Sequence, residues 1–443
     1  MLTRRDLTLS AALLGAGCAP GAGIFAPPGN AKNFVRVSGS RFSIGVAPYR
    51  YAGANMWYGA YLGADAPFGD RDRLKRELDF LAALGVNNLR VLGASELSPL
   101  KNSLAPAFRT EKPPYNETLL GGLDFLLAEM AARQMRAVVY VGNFWEWSGG
   151  FVTYLYWTNG GLYIDMNDPA HPWPEFPDFS ARFYSSAPAV ALYRDYVRAL
   201  VTRTNKVTGK AYRDDPAIMA WQLANEPRPG GSEAFANANM GAFQAWIADT
   251  AKFIKGLDAN HLVSTGNEGL KGSLESVDCV LKAHGIAEID YLTCHIWPLN
   301  WGWVDDKDLA RTYAQGERMS ADYLAQHIAF ARTLNKPLVV EEFGFPRDTG
   351  YAPGSPTTYK DRFYAMIYSH LLESAKAGGP VAGSNFWGWG GSGRAEHADY
   401  HMRRGDSGYV GDPPHEPQGW YSVFDNDTST LDIIRQHAAA MKA

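Results

Sequence analysis

Asn225 and Glu226 close the apolar run that begins at Ala220, and Glu342, in Glu341-Glu342-Phe343-Gly344, closes a second such run. An acid at the carboxyl end of an apolar strand is where catalytic groups project in an α/β barrel. Two such acids divide a task that one cannot perform: hydrolysis of a glycosidic bond with retention needs one carboxyl to protonate the leaving oxygen and a second, about 5 Å away, to attack the anomeric carbon. Glu226 and Glu342 are candidates for that pair. Taken singly, either Glu could equally form a structural ion pair or cap the following loop. Asn225, beside one of them, is placed to bind the substrate 2-hydroxyl, where the plainer reading is a loop cap.

These residues need elements to hold them. From Tyr51 onward, short apolar runs alternate with longer amphipathic segments, which predicts a parallel sheet with crossover helices. Eight runs read as strands: Tyr51–Trp57, Asn88–Leu92, Ala137–Asn143, Ile218–Asn225, Leu262–Gly266, Tyr291–His295, Leu338–Glu342 and Val381–Trp387. Helices are expected over Asp72–Leu84, Leu119–Arg133, Ala189–Lys206, Ala236–Gly256, Ala321–Leu334 and Tyr359–Ala377, with Leu74, Leu78, Leu81 and Leu84 spaced as a buried stripe. This predicts an α/β chain forming a single (β/α)₈ TIM barrel with long loops at the carboxyl face; a doubly wound sheet is the alternative, but no glycine-rich nucleotide loop follows the first strand. In a barrel the strand ends converge, bringing together Trp57, Arg90, Asn143, Asn225, Glu226, Glu268, His295, Glu342 and Trp387. Arg90, if buried, would hold the nucleophilic carboxylate ionised, or else form an ordinary salt bridge. His295, beside Trp297, is a candidate partner of the acid/base or of the sugar. Glu226 is expected to be neutral, its proton affinity raised by burial and by Glu342.

The 443-residue chain has 46% hydrophobic residues, enough for a large core, and a net charge of −4 without a basic run, so no nucleic-acid partner is expected. Its 13 Trp and 23 Tyr cluster after strand-like runs, as in Phe144-Trp145-Glu146-Trp147, Trp297, Trp301, Trp303, Trp387 and Trp389, where sugar rings could stack, although a tryptophan taken singly more often fills core. Residues 1–30 read as an export signal and flexible linker: Arg4-Arg5 and a short apolar stretch favour a twin-arginine route to a periplasmic or secreted location. Cys18 is a candidate lipid anchor, the only membrane attachment expected, and residues 31–443 are expected to form one catalytic domain. Cys279 and Cys294 permit one disulfide, and their spacing argues against a zinc site. The segments 144–188 and 390–419 exceed ordinary connections, as binding loops do, and could close one end of a cleft.

Leu-Arg-Val at 89–91, Ala-Asn-Glu-Pro at 224–227, Glu-Phe-Gly at 342–344 and Phe-Trp-Gly-Trp at 386–389 resemble glycoside hydrolase family 5, and within it the β-mannanase branch. Ala54–Gly59, Gly142–Trp145, Gly266–Gly269 and His295–Pro298 extend the likeness from about Tyr51 to Trp389. The resemblance implies a retaining (β/α)₈ enzyme that cleaves β-1,4-mannosidic linkages in mannans or manno-oligosaccharides, with Glu226 as acid/base and Glu342 as nucleophile, and with no cofactor or metal. It selects Glu342 over Glu341, which strand alternation would then point the other way. Trp57, Arg90, Asn143, Trp145, Asn225, Glu268, His295, Trp297 and Trp387 are the expected substrate-binding residues. One departure stands out: many relatives carry His-x-Tyr on the sixth strand, whereas this chain has Trp297 there. Its indole can donate to the nucleophile but not accept, so either Trp297 takes over as donor or another group orients Glu342. The alternatives are exo-action as a β-mannosidase or mannobiohydrolase, another β-glycan as substrate, and a carbohydrate-binding barrel without turnover.

Overall fold

The computed structural model describes residues 33–442; the expected export signal, its linker and Cys18 lie outside them. Three short antiparallel strands come first, β1 (Val35–Ser38), β2 (Arg41–Ile44) and β3 (Ala47–Tyr49). Eight parallel strands follow: β4 (Tyr51–Asn55), β5 (Asn88–Leu92), β6 (Arg136–Tyr140), β7 (Ile218–Gln222), β8 (Leu262–Ser264), β9 (Leu292–Ile296), β10 (Leu338–Phe343) and β11 (Val381–Phe386). A small pair, β12 (Trp389–Gly391) and β13 (Val423–Phe424), holds the last long loop.

The eight strands are ordered β8-β7-β6-β5-β4-β11-β10-β9. The ends of that ladder meet, because Asp290 N donates to Val263 O at 2.8 Å and His295 N to Glu268 O at 3.1 Å. The sheet is therefore a nearly closed (β/α)₈ barrel, and the doubly wound alternative falls. Every residue of β4 to β11 except Arg136 is buried, as expected of strands covered on both faces. Inside the barrel Tyr51, Val138, Ala220, Leu262, Tyr291 and Val339 pack together with Val35 and Phe42, so the β1–β3 sheet plugs the amino-terminal end.

Eleven helices are described: α1 (Gly59–Gly63), α2 (Arg71–Ala83), α3 (Glu117–Ala132), α4 (Gly150–Thr158), α5 (Glu175–Ser180), α6 (Ala187–Val201), α7 (Glu233–Leu257), α8 (Val277–Gly285), α9 (Leu309–Leu334), α10 (Thr358–Lys376) and α11 (Thr428–Lys442). Side chains that accept from first-turn amides fix several starts, among them Asp70 for α2, Asn116 for α3, Ser232 for α7 and Asp308 for α9. The six helices read from sequence are present, but α9 begins twelve residues before the expected Ala321. Its first half is largely polar and packs through Gly316, where a Cβ would stand 2.2 Å from Val304 Cγ1. That close approach docks α9 against the loop carrying Trp301 and Trp303. Cys279 and Cys294 are buried and free.

Candidate active site

Arg90, at the centre of β5, is fully buried and organises the floor of the barrel mouth. Its guanidinium donates to Gln222 Oε1 (2.7 Å), Asn55 Oδ1 (3.1 Å), Asn225 Oδ1 (2.7 Å) and Glu342 Oε1. One rigid fork thus fixes residues from β4, β7 and β10 together. Asn225 passes the network on by donating to Asn143 Oδ1 at 3.2 Å, and Asn143 donates to Ser148 Oγ at 3.0 Å.

Glu226 adopts a left-handed backbone (φ 50°), an uncommon conformation for a non-glycine residue and one that concentrates at functional sites. Its N–H donates to Gly266 O at 2.9 Å. Gly266 must be glycine, since a Cβ there would lie 1.9 Å from Ala224 O. The carboxylate accepts from His295 Nδ1 at 2.7 Å and from Trp145 Nε1 at 2.6 Å. Burial opposes its charge, but the His295 hydrogen bond and charge, Arg228 and Trp145 prevail, and Glu226 lies well below the usual carboxylate range. This corrects the expectation of a neutral Glu226. Burial also opposes a charge on His295, yet Glu342, Glu226 and Glu341 around it raise the imidazole well above its ordinary value. Glu226 and His295 therefore hold one proton between them across 2.7 Å, and it resides mainly on the imidazole.

Glu342 accepts from Arg90 and from Trp297 Nε1, the latter at 3.2 Å, and lies 3.3 Å from His295 Nδ1. Trp297 thus sits where it can act as the donor that the sequence put in question. Replacing Trp297 by Phe should remove a hydrogen bond to a charged group and lower kcat about ten- to a hundredfold with little change in thermal midpoint, as steady-state kinetics and a melting curve would report. One carboxylate oxygen each of Glu226 and Glu342 and a nitrogen of His295 all lie within 4.8 Å of one another. That closeness fits the short carboxyl separation of a pair that acts by direct nucleophilic attack better than the wider one of an inverting pair.

Above the two glutamates opens a pocket of about 550 Å³. The segment after β6 contributes Trp145, Trp147, Met166 and Trp173 to its wall, with Trp173 61% exposed. From beyond β9 come Trp297, Asn300 and Trp301, from just after β11 Trp387, and from the last long loop Pro413, His415 and Glu416. Both long loops picked out in the sequence therefore reach the site, and Trp301 walls it as expected. Among the described residues Trp387 Nε1 and Glu416 Oε2 have no hydrogen-bond partner, and both residues line the pocket. Arg228 pairs with Glu268 beneath Trp145, its guanidinium 4.8 Å from the indole centroid. Burial, opposed by Arg228 and assisted by Glu226, pushes the Glu268 carboxyl up to about 7.

Not every expected binding residue reaches the wall. Trp145, Asn225, Glu226, Glu268, Trp297, Glu342 and Trp387 do. Arg90, Asn143 and His295 are fully buried beneath it and act on the site through other side chains. Trp57 is core: its Nε1 donates to Gly411 O at 3.1 Å and its ring packs on Tyr58, Tyr61, Trp147 and Tyr409. Arg228, His415 and Glu416 were missed, though Arg228 stands two residues after Glu226, and Pro413-Pro414-His415-Glu416-Pro417 is a proline-stiffened carrier of two titratable groups.

The chain matches the family model described as GH family 5 beta-mannosidase-like over residues 32–443. A glycoside hydrolase family 5 mannosidase from Rhizomucor miehei superposes with a TM-score of 0.85 at 37% identity, covering 94% of this chain and 99% of that one. A variant of that enzyme in complex with mannosyl-fructose superposes with the same TM-score and identity over 93% of this chain and 98% of that one. Mannan endo-1,4-beta-mannosidase 1 of Oryza sativa subsp. japonica is 30% identical over 375 residues, 81% of this chain and 79% of that protein.

Proposed function

This chain belongs to the GH family 5 beta-mannosidase-like family, and from that premise we propose that it cleaves β-1,4-mannosidic bonds with retention, using Glu342 as nucleophile and Glu226 as acid/base. The observation that carries the reading is the glutamate pair, with oxygens within 4.8 Å, on the floor of a tryptophan-lined pocket. Arg90 and Trp297 orient the Glu342 carboxylate towards the anomeric carbon. As Glu342 attacks, the proton held by Glu226 and His295 passes to the departing sugar oxygen, and Glu226 is left ionised. Glu226 then draws a proton from water, whose oxygen opens the glycosyl-enzyme at the same carbon, so two inversions give retention. Asn225, at the wall, is available to the 2-hydroxyl, while Trp387, which also lines the pocket, supplies aromatic surface beside the sugar in the reacting position.

A second reading concerns where along a chain the enzyme cuts. The last long loop spans the barrel mouth: His415 stacks on Trp147 of the segment after β6 (6.5 Å, 18°), and Tyr421 donates to Asn300 Oδ1 beyond β9 at 2.5 Å. Asp412 stiffens it by accepting from the backbone N–H groups of Gly419, Tyr421 and Ser422. Burial, together with repulsion from Asp412, Glu342 and Glu226, raises Glu416 well above the usual carboxylate range, which favours the protonated carboxyl that can donate to a sugar hydroxyl. A bridge with such a donor suits recognition of a chain end. On linear mannan and defined manno-oligosaccharides, with glucan and xylan as controls, the expected products are mannose or mannobiose from the first time point. Glu416→Ala should raise KM for short oligosaccharides about tenfold, the loss of roughly one well-placed hydrogen bond. Mixed oligomers appearing early would overturn chain-end action, and silence on mannan with cleavage of a control polymer would overturn the substrate.

A further inference from the structure

β10 carries two successive glutamates, and strand alternation allows only one of them to face the barrel axis. Val339 packs in the barrel interior whereas Phe343, four residues on, packs outward on Tyr364 and Tyr368 of α10, so the regular alternation that would give both the same face is broken between them. The register against β9 shifts there: Val340 pairs with Cys294 and Glu342 with His295, leaving Glu341 as an extra, unpaired residue. This bulge turns both carboxylates inward. Glu341 is thus no outward bystander, contrary to the reading of the sequence. It is buried, accepts from Gln222 Nε2 at 2.6 Å and Tyr291 OH at 3.3 Å, and lies 3.9 Å from Arg90 Nε.

His295 lies between the two glutamates. Nδ1 faces Glu226 (2.7 Å) and Glu342 (3.3 Å), whereas Nε2 faces Glu341 at 3.8 Å and has no other partner among the described residues. An unprotonated Nε2 would aim its lone pair at a carboxylate; an Nε2–H aims a hydrogen at it. We propose that Glu341 is a positioning residue for acid catalysis, pinning a hydrogen on Nε2 of His295 so that Nδ1 is the nitrogen that exchanges the working proton with Glu226. The inference rests on the acid/base role assigned to Glu226. Its balance is simple: the proton leaves Nδ1 of the imidazolium for the Glu226 carboxylate, giving a neutral imidazole that still bears Nε2–H and a carboxylic acid. The reverse transfer follows when Glu226 takes a proton from water. Of the other groups facing this cluster, Tyr51 from β4 and Tyr291 and Cys294 at β9 are kept neutral by burial and Arg90 from β5 stays charged. Glu268, paired with Arg228 and pushed up to about 7, is the neighbour that also titrates in this range, and Glu268→Gln as a background separates its limb from that of the His295 pair.

The test is the pH profile of kcat/KM for Glu341→Gln beside the parent enzyme. Losing an anion this close to His295 lowers the pair's proton affinity, so the basic limb should move down by about 1 to 3 pH units, with activity recovering towards acid pH. Glu341→Asp, which keeps the charge, should restore much of the parent profile. A uniform loss at every pH with both limbs in place would overturn the proposal and leave Glu341 as packing. Should Glu341→Gln fail to fold, nitrogen-15 NMR of histidine-labelled parent protein still decides, with His295→Gln assigning the signal among the ten histidines of the chain. Nε2 of His295 should stay proton-bearing across the range while only Nδ1 titrates; a neutral ring with bare Nε2 would refute the proposal. Because that readout needs no turnover, a protein inactive on mannosides with a pinned Nε2 would refute the functional reading alone.

Discussion

Replacing Glu342 by alanine should lower kcat on mannosides about 10⁴-fold or more, since the covalent route loses its nucleophile and the site has no substitute. The fold should survive, because Arg90 keeps Gln222, Asn55, Asn225 and the neighbouring Glu341. Circular dichroism and a melting curve would check that. Glu226→Ala should behave differently in an instructive way. A missing general acid costs about 10² to 10⁴-fold on natural leaving groups, but an aryl mannoside whose phenol leaves without help should still form the glycosyl-enzyme quickly. Turnover should then stall at the second step, and azide should release it as a β-mannosyl azide. Near-normal hydrolysis by either variant would refute the assignment, and equal losses on activated and natural substrates would refute the division of roles.

Arg90→Met should be the most damaging change to stability among the site residues. The guanidinium has no exposed surface and contacts Glu342 and Glu341, so its removal leaves two buried carboxylates without their common cation. Breaking a buried ion pair from one side typically costs about 3–5 kcal/mol. The sign with pH follows from linkage. Negative charge left uncompensated in the folded state is relieved by acid and restored as pH rises, so the variant's folded state loses stability towards neutral pH. Urea unfolding of Arg90→Met against parent should therefore show a deficit that grows from acid to neutral pH. A pH-independent deficit would indicate lost packing rather than lost charge. Arg90→Lys keeps a charge but not the planar fork, and should fall between the two.

The sequence made the barrel legible because its parallel strands are buried on both faces and read as uninterrupted apolar runs. It concealed β1–β3, where short, half-exposed pieces broken by turns at Gly39 and Gly45 offer too few residues for a period to register. The short α8 and the terminal α11 were missed as well, and the polar half of α9 was left out, since its burial depends on a glycine contact that no pattern encodes. At the site, strand ends disclosed Glu226, Glu342 and Arg90. They also led to Trp57, which occupies a strand-end position yet turns into the core, because a position in sequence does not say which way an aromatic ring faces. Glu341 was misplaced for a different reason: alternation is a rule about regular strands, and one bulged residue reverses it. His415 and Glu416 lie in a loop anchored across the barrel mouth by the hydrogen bond from Tyr421 to Asn300, a contact 121 residues apart that no local window contains.

The account turns on a pair of glutamates close enough to act by double displacement on a β-mannoside. Proton NMR of the first minutes of hydrolysis of an aryl β-mannoside tests that directly, by reading which anomer of mannose is released before mutarotation. β-Mannose first, with the α-anomer growing in later, is the predicted result; α-mannose first would show single displacement and contradict the roles given to Glu226 and Glu342.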